Sequence, residues 1–319
     1  MTSRGAEKMT LFTIGVDISK DHLDVHRLPD GQSRRFTNDN AGYKALAAFI
    51  GKGTARVVFE PTGPYHRAFE RELSNKGLPL VKVNPRQARR FAEATGKLAK
   101  TDRIDAIVPA KMGMLLDLDA RPVRSEGQSE LKELSIAREA LVKDRTAAKN
   151  RAKALTLPVL KRQNTERLNQ IERQIGAIEA AIMERLQADP DLARRLSILT
   201  SIPGISRITA FALIIEMPEL GTLKAGQAAS LAGLAPVARQ SGRWTGRAFI
   251  RGGRASVRHA LYMPALVATR FNPDLKTKYD QLREAGKPAK VAITAIMRKL
   301  VVLANALLSK NRLWTQKPA

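Results

Sequence analysis

The chain has 319 residues, 44% of them apolar, which suits two domains with sizeable cores. It contains no cysteine, so disulfides, a cysteine nucleophile and a thiolate zinc site are excluded, and a reducing cytosol fits. Against 30 acidic residues stand 55 basic ones, a net charge of +25 that attracts polyanions, nucleic acid first among them.

In chain order, FTIGVDI (12–18) is apolar and β-branched, HLDVHRL (22–28) follows a polar turn, and RRFTN (34–38) follows Pro-Asp-Gly. Three short strands separated by turn signals predict a meander. A helical pattern covers about 41–51, ARVVFE (55–60) reads as a strand, and YHRAFERELSNKG (65–77) reads as an amphipathic helix closed by Gly77. LPLVKV (78–83) is a further strand. The order βββαβα predicts an α/β layer whose later strands are parallel. From about 125 to 190 the strand signal vanishes. Leu168, Ile171, Ile175, Ile178, Ile182 and Leu186 form a coiled-coil-like seam, and an upstream helix over about 128–155 carries Leu131, Leu134, Leu141 and Leu155. Pro158 breaks the path between them. The expectation is a long antiparallel helical arm, either protruding for dimerisation or packed on its own domain. From about 194 onward the pattern is mostly helical and strongly basic. The parts are therefore 1–124, 125–193 and 194–319. The apolar stretch 291–308 is broken by Arg298 and Lys299, and Asp17 interrupts the apolar run near the start, so neither a membrane span nor a signal peptide is expected.

Four carboxylates stand out. Asp17 lies in the first strand, Glu60 ends the fourth before Pro-Thr-Gly, and Asp102 and Asp105 sit in KTDRIDA at a helix start. Their spacing of i, i+3 puts both aspartates on one helical face. An acid within an apolar strand is costly unless it is paired or holds a cation. Four acids gathered together would need Mg²⁺ or Mn²⁺, whose oxygen ligands are carboxylates, and such metals serve phosphoryl transfer. Taken singly, Asp17 also fits a turn, Glu60 a cap, and the KTDRIDA pair a helix N-terminus. Asp21 and Asp24 compete with Asp17, which is preferred because it sits in the apolar strand.

The second half carries two motifs. SIPGISRITA (201–210) places a Pro-Gly turn between helical segments, like a helix-hairpin-helix whose backbone N–H groups meet a phosphate. An ordinary αα-turn reads the same way. ARQSGRWTGRAFIRGGRASVRHALYMPA (238–265) contains Ser241 and Ser256 and most of the arginines of a stretch with no acid between Glu219 and Asp274. A serine nucleophile needs activation, and flanking arginines can bind phosphate and stabilise developing charge. Spacing alone equally describes a solvated arginine-rich loop with an incidental serine. Trp244 suits base stacking or core packing, and His66 suits a helix surface or the neighbourhood of Glu60.

The stretches GVDISK (15–20), FEPTG (59–63), NPRQARRFAEATG (84–96), KTDRIDA, SIPGISRITA, LAGLAPVARQSG (231–242) and GGRASVRHALYMPALVAT (252–269) together resemble the DEDD-type transposases of bacterial insertion sequences, relatives of the pilin-gene invertase. The resemblance spans nearly the whole chain. It implies a ribonuclease H-like, RuvC-like N-terminal domain in which Asp17, Glu60, Asp102 and Asp105 bind Mg²⁺ (or Mn²⁺), and a C-terminal transposase domain in which Ser241 attacks a DNA phosphate. It implies dimers that join into tetramers around donor and target DNA. It also implies a non-coding bridge RNA from the same element that pairs with both DNAs, in the bacterial cytoplasm at the nucleoid. Nucleic-acid contacts are expected from Lys20, Arg103, Arg239, Arg243, Arg247, Arg251, Arg254 and Arg258. Two alternatives stay open: a metal-dependent junction nuclease that uses the acids alone, and a non-enzymatic basic nucleic-acid-binding protein.

Overall fold

A computed structural model describes residues 11–51, 53–96, 102–120 and 125–316, and for 102–104 the backbone only. The chain falls into two compact units, Met1–Arg124 and Ser125–Ala319.

The first unit is built on a five-stranded mixed sheet. Strands β1 (Phe12–Ile18), β2 (His22–Leu28) and β3 (Ser33–Thr37) form the expected meander, with both pairings antiparallel. Strands β4 (Thr54–Phe59) and β5 (Leu80–Lys82) add parallel strands on the other edge of β1, so the order is β3-β2-β1-β4-β5. Side chains alternate across a strand, and that alternation divides the unit into layers. Ile14, Val16 and Ile18 of β1 pack with Leu46 and Ile50 of α1 (Asn40–Ile50) and Phe69 and Leu73 of α2 (His66–Asn75). On the opposite face Val58 and Val81 pack with Ala88 and Ala92 of α3 (Pro85–Ala94) and Val108 and Met112 of α4 (Asp102–Leu115).

Local chemistry sets the helix starts. Asp39 caps α1 by accepting from the Gly42 N–H, and its carboxyl is held below the ordinary value by that bond and by the Thr37 hydroxyl. Asn84 caps α3, with Pro85 in the first turn, where its missing N–H costs nothing.

The second unit begins with two long helices, α5 (Glu126–Ala152) and α6 (Pro158–Ala188). Pro158 starts α6 instead of merely interrupting a path, consistent with the preference of proline for a first turn. Ion pairs Arg185–Glu130, Arg138–Glu179 and Arg145–Glu172 fix the helices as antiparallel, since one set of numbers rises as the other falls. Ile171, Ile175, Ile182 and Leu186 of the seam are buried. Leu131, Ile182 and Leu186 belong to the same core as the following helices, so the base of the pair is rooted in the unit.

That core is completed by α7 (Pro190–Thr200), α8 (Arg207–Glu216), α9 (Ala225–Leu231), α10 (Ala255–Phe271), α11 (Pro273–Glu284) and α12 (Ala289–Ser309). Among the described residues, α12 alone is long and apolar enough to cross a membrane. Its Ile296, Leu300, Val301 and Ala304 are fully buried in this core, while Arg298 and Lys299 stay on the exposed side.

One element departs from the helical expectation. Residues 236–250 form an antiparallel ribbon of β6 (Pro236–Ser241) and β7 (Trp244–Ile250). Nearly every residue in it is exposed. A strand with no buried face shows no apolar alternation, which is why the sequence pattern does not reveal it.

Candidate functional site

The parallel register pairs Val16 of β1 with Phe59 of β4, so the next residues, Asp17 and Glu60, lie side by side where the two strands end. Two-residue alternation puts Asp17 on the face of Gly15, and Glu60 on the face of Val58. Both belong to the face that α4 covers. The approach of α4 depends on Gly15: a Cβ there would lie 2.1 Å from the Ala106 carbonyl oxygen and 2.4 Å from the Ala110 nitrogen. Gly113, two turns on, is tight against Val58 and Thr13 in the same manner. The helix thus lies directly on β1, with Asp105 beside the contact residue Ala106 and position 102 one turn earlier.

Asp17, Glu60 and Asp105 are all half-buried, and each has an interacting partner. The side chains of Asp102 and Arg103 lie outside the described residues. Among the described residues no three His, Asp or Glu side chains gather closely enough to hold a metal ion. The donors that border this face are nonetheless carboxylate oxygens, the ligand type of Mg²⁺ and Mn²⁺. Asp24 lies opposite Asp17 across the β1–β2 pair, and a two-pronged contact with Arg35 at 2.8 and 2.9 Å engages it. Lys20 is exposed in the turn after β1.

His66, at the start of α2, is half-buried and not on the helix surface, with its ring 6.3 Å from that of Phe59. Its Nε2 is 3.9 Å from Glu70, which Lys82 approaches to 2.7 Å. Burial, and then the Lys82 charge, hold its pKa below the ordinary histidine value.

In the second unit the two serines of the arginine-rich motif are separated by their surroundings. Ser256, in the first turn of α10, donates to Glu216 at 3.0 Å, and Lys132 contacts the same carboxylate at 2.5 Å. Ser241 is exposed at the end of β6, at the tip of the ribbon. It pairs with Trp244 across the two-residue turn Gly242-Arg243. Gly242 has φ of 55°, the left-handed value that such a turn requires at its first central position.

The arginines divide in the same way. Arg239, Arg243, Arg247 and Arg251 are exposed along the ribbon and just beyond it. Arg254 instead grips Glu219 with two contacts of 2.7 and 2.8 Å and also donates to the Glu216 carbonyl. Arg258 donates to the Gly252 carbonyl. These two therefore anchor the root of the ribbon, although the sequence reading groups them with the nucleic-acid contacts. The same root is held by a backbone approach: a Cβ on Gly253 would lie 2.2 Å from the Gly233 nitrogen. Arg254 N–H also donates to the Leu231 carbonyl at 2.8 Å. No sequence signal marks this role, because Glu219 is 35 residues away from its arginine.

SIPGISRITA forms the turn between α7 and α8. Gly204 takes φ of 103°, and Ser206 caps α8 by accepting from the Thr209 N–H. Gly204 also faces α10 closely, since a Cβ would lie 2.9 Å from the Pro264 carbonyl oxygen.

Comparison with known proteins finds relatives over most of the chain. Residues 14–159 match a family described as transposase, the DEDD type of IS110, and residues 196–280 match the transposase IS116/IS110/IS902 family. The pilin gene-inverting proteins of Moraxella bovis and Moraxella lacunata are each 29% identical over 320 residues, covering 95% of this chain and 98% of the relative. The uncharacterized 43.6 kDa protein of insertion element IS110 from Streptomyces coelicolor is 32% identical over 157 residues, covering 48% of this chain and 37% of that protein. The first match spans the carboxylate strands and runs on through α5, and the second spans the serine ribbon; the chain belongs to the IS110 family of DEDD transposases, enzymes of DNA recombination.

Proposed function

We propose that this transposase moves a bacterial insertion sequence through a serine nucleophile assisted by a carboxylate-bound metal. The observation that carries the reading is the placement of Asp17 and Glu60 on neighbouring strand ends, under the first turn of a helix that bears Asp102 and Asp105. The strand order β3-β2-β1-β4-β5, with a meander followed by parallel strands, supports a ribonuclease H-like, RuvC-like domain. Asp17, Glu60, Asp102 and Asp105 would hold Mg²⁺ or Mn²⁺, which when bound supplies positive charge against the phosphate.

Ser241 is the nucleophile in this reading. Its exposure and its exposed arginine neighbours favour it over Ser256, which Glu216 engages. Oγ attacks phosphorus, the bond to one deoxyribose oxygen breaks, and that oxygen leaves with a proton. The product is a phosphoserine link that a second strand end can reverse. Arg239 and Arg243 flank the serine, and in this reading their charge neutralises the phosphate. The chain then divides functionally into 1–124, 125–193 and 194–319, with the antiparallel helices acting as a coiled-coil dimerisation arm and the Pro-Gly turn as a helix-hairpin-helix. Dimers would pair into a tetramer around donor and target DNA. A bridge RNA would supply sequence choice while the protein holds backbones, as in other RNA-guided enzymes. Action in the bacterial cytoplasm, at the nucleoid, follows from that scheme.

The test is a covalent-adduct trap. The protein is expressed with its flanking DNA, and complexes are recovered under denaturing conditions for wild type, Ser241→Ala and Asp102→Ala. The expected outcome is an adduct in wild type alone, mapped to Ser241. DNA cut in an Asp102-dependent way with no adduct would instead leave a nuclease that works through the acids.

A further inference from the structure

We infer that Trp244 is a stacking platform for an unpaired base of the DNA strand, and that it seats the nucleotide next to the phosphate presented to Ser241. The inference rests on the serine reading above and adds a substrate contact to it.

Four observations support it. Trp244 is 56% exposed, although an indole of that size normally finds cover. Its ring is not loose. A Cβ built on Gly246 would lie 2.3 Å from Cη2 and 2.9 Å from both Cζ2 and Cζ3, so the indole lies across the bare glycine on its own strand. Only a residue without a side chain leaves that room. The ring is therefore braced on one side by backbone and exposed elsewhere, which lowers the ordering cost of a stacked partner.

Register supplies the third observation. Ser241 and Trp244 are directly paired across the two-residue turn, so both side chains rise from the same face of the ribbon. Residues paired in this way have Cβ atoms roughly 5 Å apart. That is on the order of the distance from a phosphate to its own base. The fourth observation is charge. The ribbon lies in a stretch with no acidic residue between Glu219 and Asp274, and Arg239, Arg243 and Arg247 are exposed on it, with Arg251 just beyond. An aromatic platform among arginines fits a single strand, with its base on the ring and its phosphates on the guanidinium groups. A base inside a duplex has no free face, so the site selects a strand opened at the point of cleavage.

The chain has two tryptophans, and the second, Trp314, packs against the core of the second unit. The Trp314→Phe variant therefore makes Trp244 the sole indole reporter. That full-length protein is titrated with a short oligothymidylate and with an abasic phosphodiester of equal length, in low salt without metal. The expected result is quenching by oligothymidylate but not by the abasic chain. Trp244→Ala should weaken oligothymidylate binding about tenfold, leave abasic binding and the salt slope unchanged, and keep the thermal midpoint, while Trp244→Phe retains most of the affinity. Oligothymidylate binding by Trp244→Ala as tight as by wild type, or equal affinity of wild type for the two strands, would overturn the inference. So would emission that changes with protein concentration in the absence of any strand, which would show a second copy covering the ring. No cleavage is involved, so failure of the adduct trap leaves this result standing, and failure here leaves the adduct trap untouched.

Discussion

Gly15 decides how closely α4 can approach β1. The Ala106 carbonyl occupies the space where a side chain would be, so any Cβ must displace backbone instead of a flexible side chain. Gly15→Ala should cost about 1–3 kcal/mol in urea unfolding of the first unit, and more if α4 cannot shift. It should also suppress recombination beyond that loss, because α4 carries two of the acids. A variant as stable and as active as wild type would show that the helix approach is unimportant. His66 gives a second residue-scale outcome. Its folded pKa is lowered by burial, so the folded state favours the neutral ring. The associated stability is complete above the ordinary value of about 6.5 and is lost as pH falls through the folded value. Thermal midpoints measured from about pH 7.5 down to about pH 5 should fall more steeply for wild type than for His66→Phe. Parallel curves would contradict this.

At the scale of elements, the first unit was largely readable and the ribbon was not. The β1 pattern of apolar residues around Asp17 is visible because one of its faces packs on α1 and α2, and burial writes itself into sequence. The seam of α6 was visible for the same reason, with Ile182 and Leu186 fully buried. Ile182→Ala should cost about 2–5 kcal/mol in the second unit, measured by denaturant unfolding, with little change if the seam were merely decorative. The ribbon has no buried face, so its strands leave no period in the sequence. The division of the arginines was equally hidden. Arg247 and Arg254 look alike in sequence, yet one is exposed on a strand and the other grips Glu219. The acids were legible as candidates, and the adjacency of Asp17 and Glu60 follows from register, a property of pairing that no local window contains.

Over the whole molecule, the +25 charge draws in a polyanion, and the number of phosphates its cations neutralise sets how strongly binding depends on salt. Affinity for duplex DNA should fall steeply between about 50 and 200 mM salt. Replacing Arg243 or Arg247 by alanine should each reduce the slope of log affinity against log salt by roughly 1. Arg254→Ala should leave the slope in place and lower the stability of the second unit, because that guanidinium is tied to Glu219 and Glu216. A slope that drops equally in all three variants would erase the division drawn between ribbon and root.

The two-residue turn at the ribbon tip makes alignment a question of parity. Ser241 and Trp244 share a face because an even number of residues separates them. With the two-residue turn kept, one glycine inserted after Gly242 shifts the pairing by one residue and sends the two side chains to opposite faces with every residue still present, and a second brings them back together on a longer ribbon. An element that keeps its chemistry at such a tip tolerates changes of side chain more readily than changes of length. Odd-length insertions between Ser241 and Trp244 should therefore silence the enzyme more completely than even-length ones.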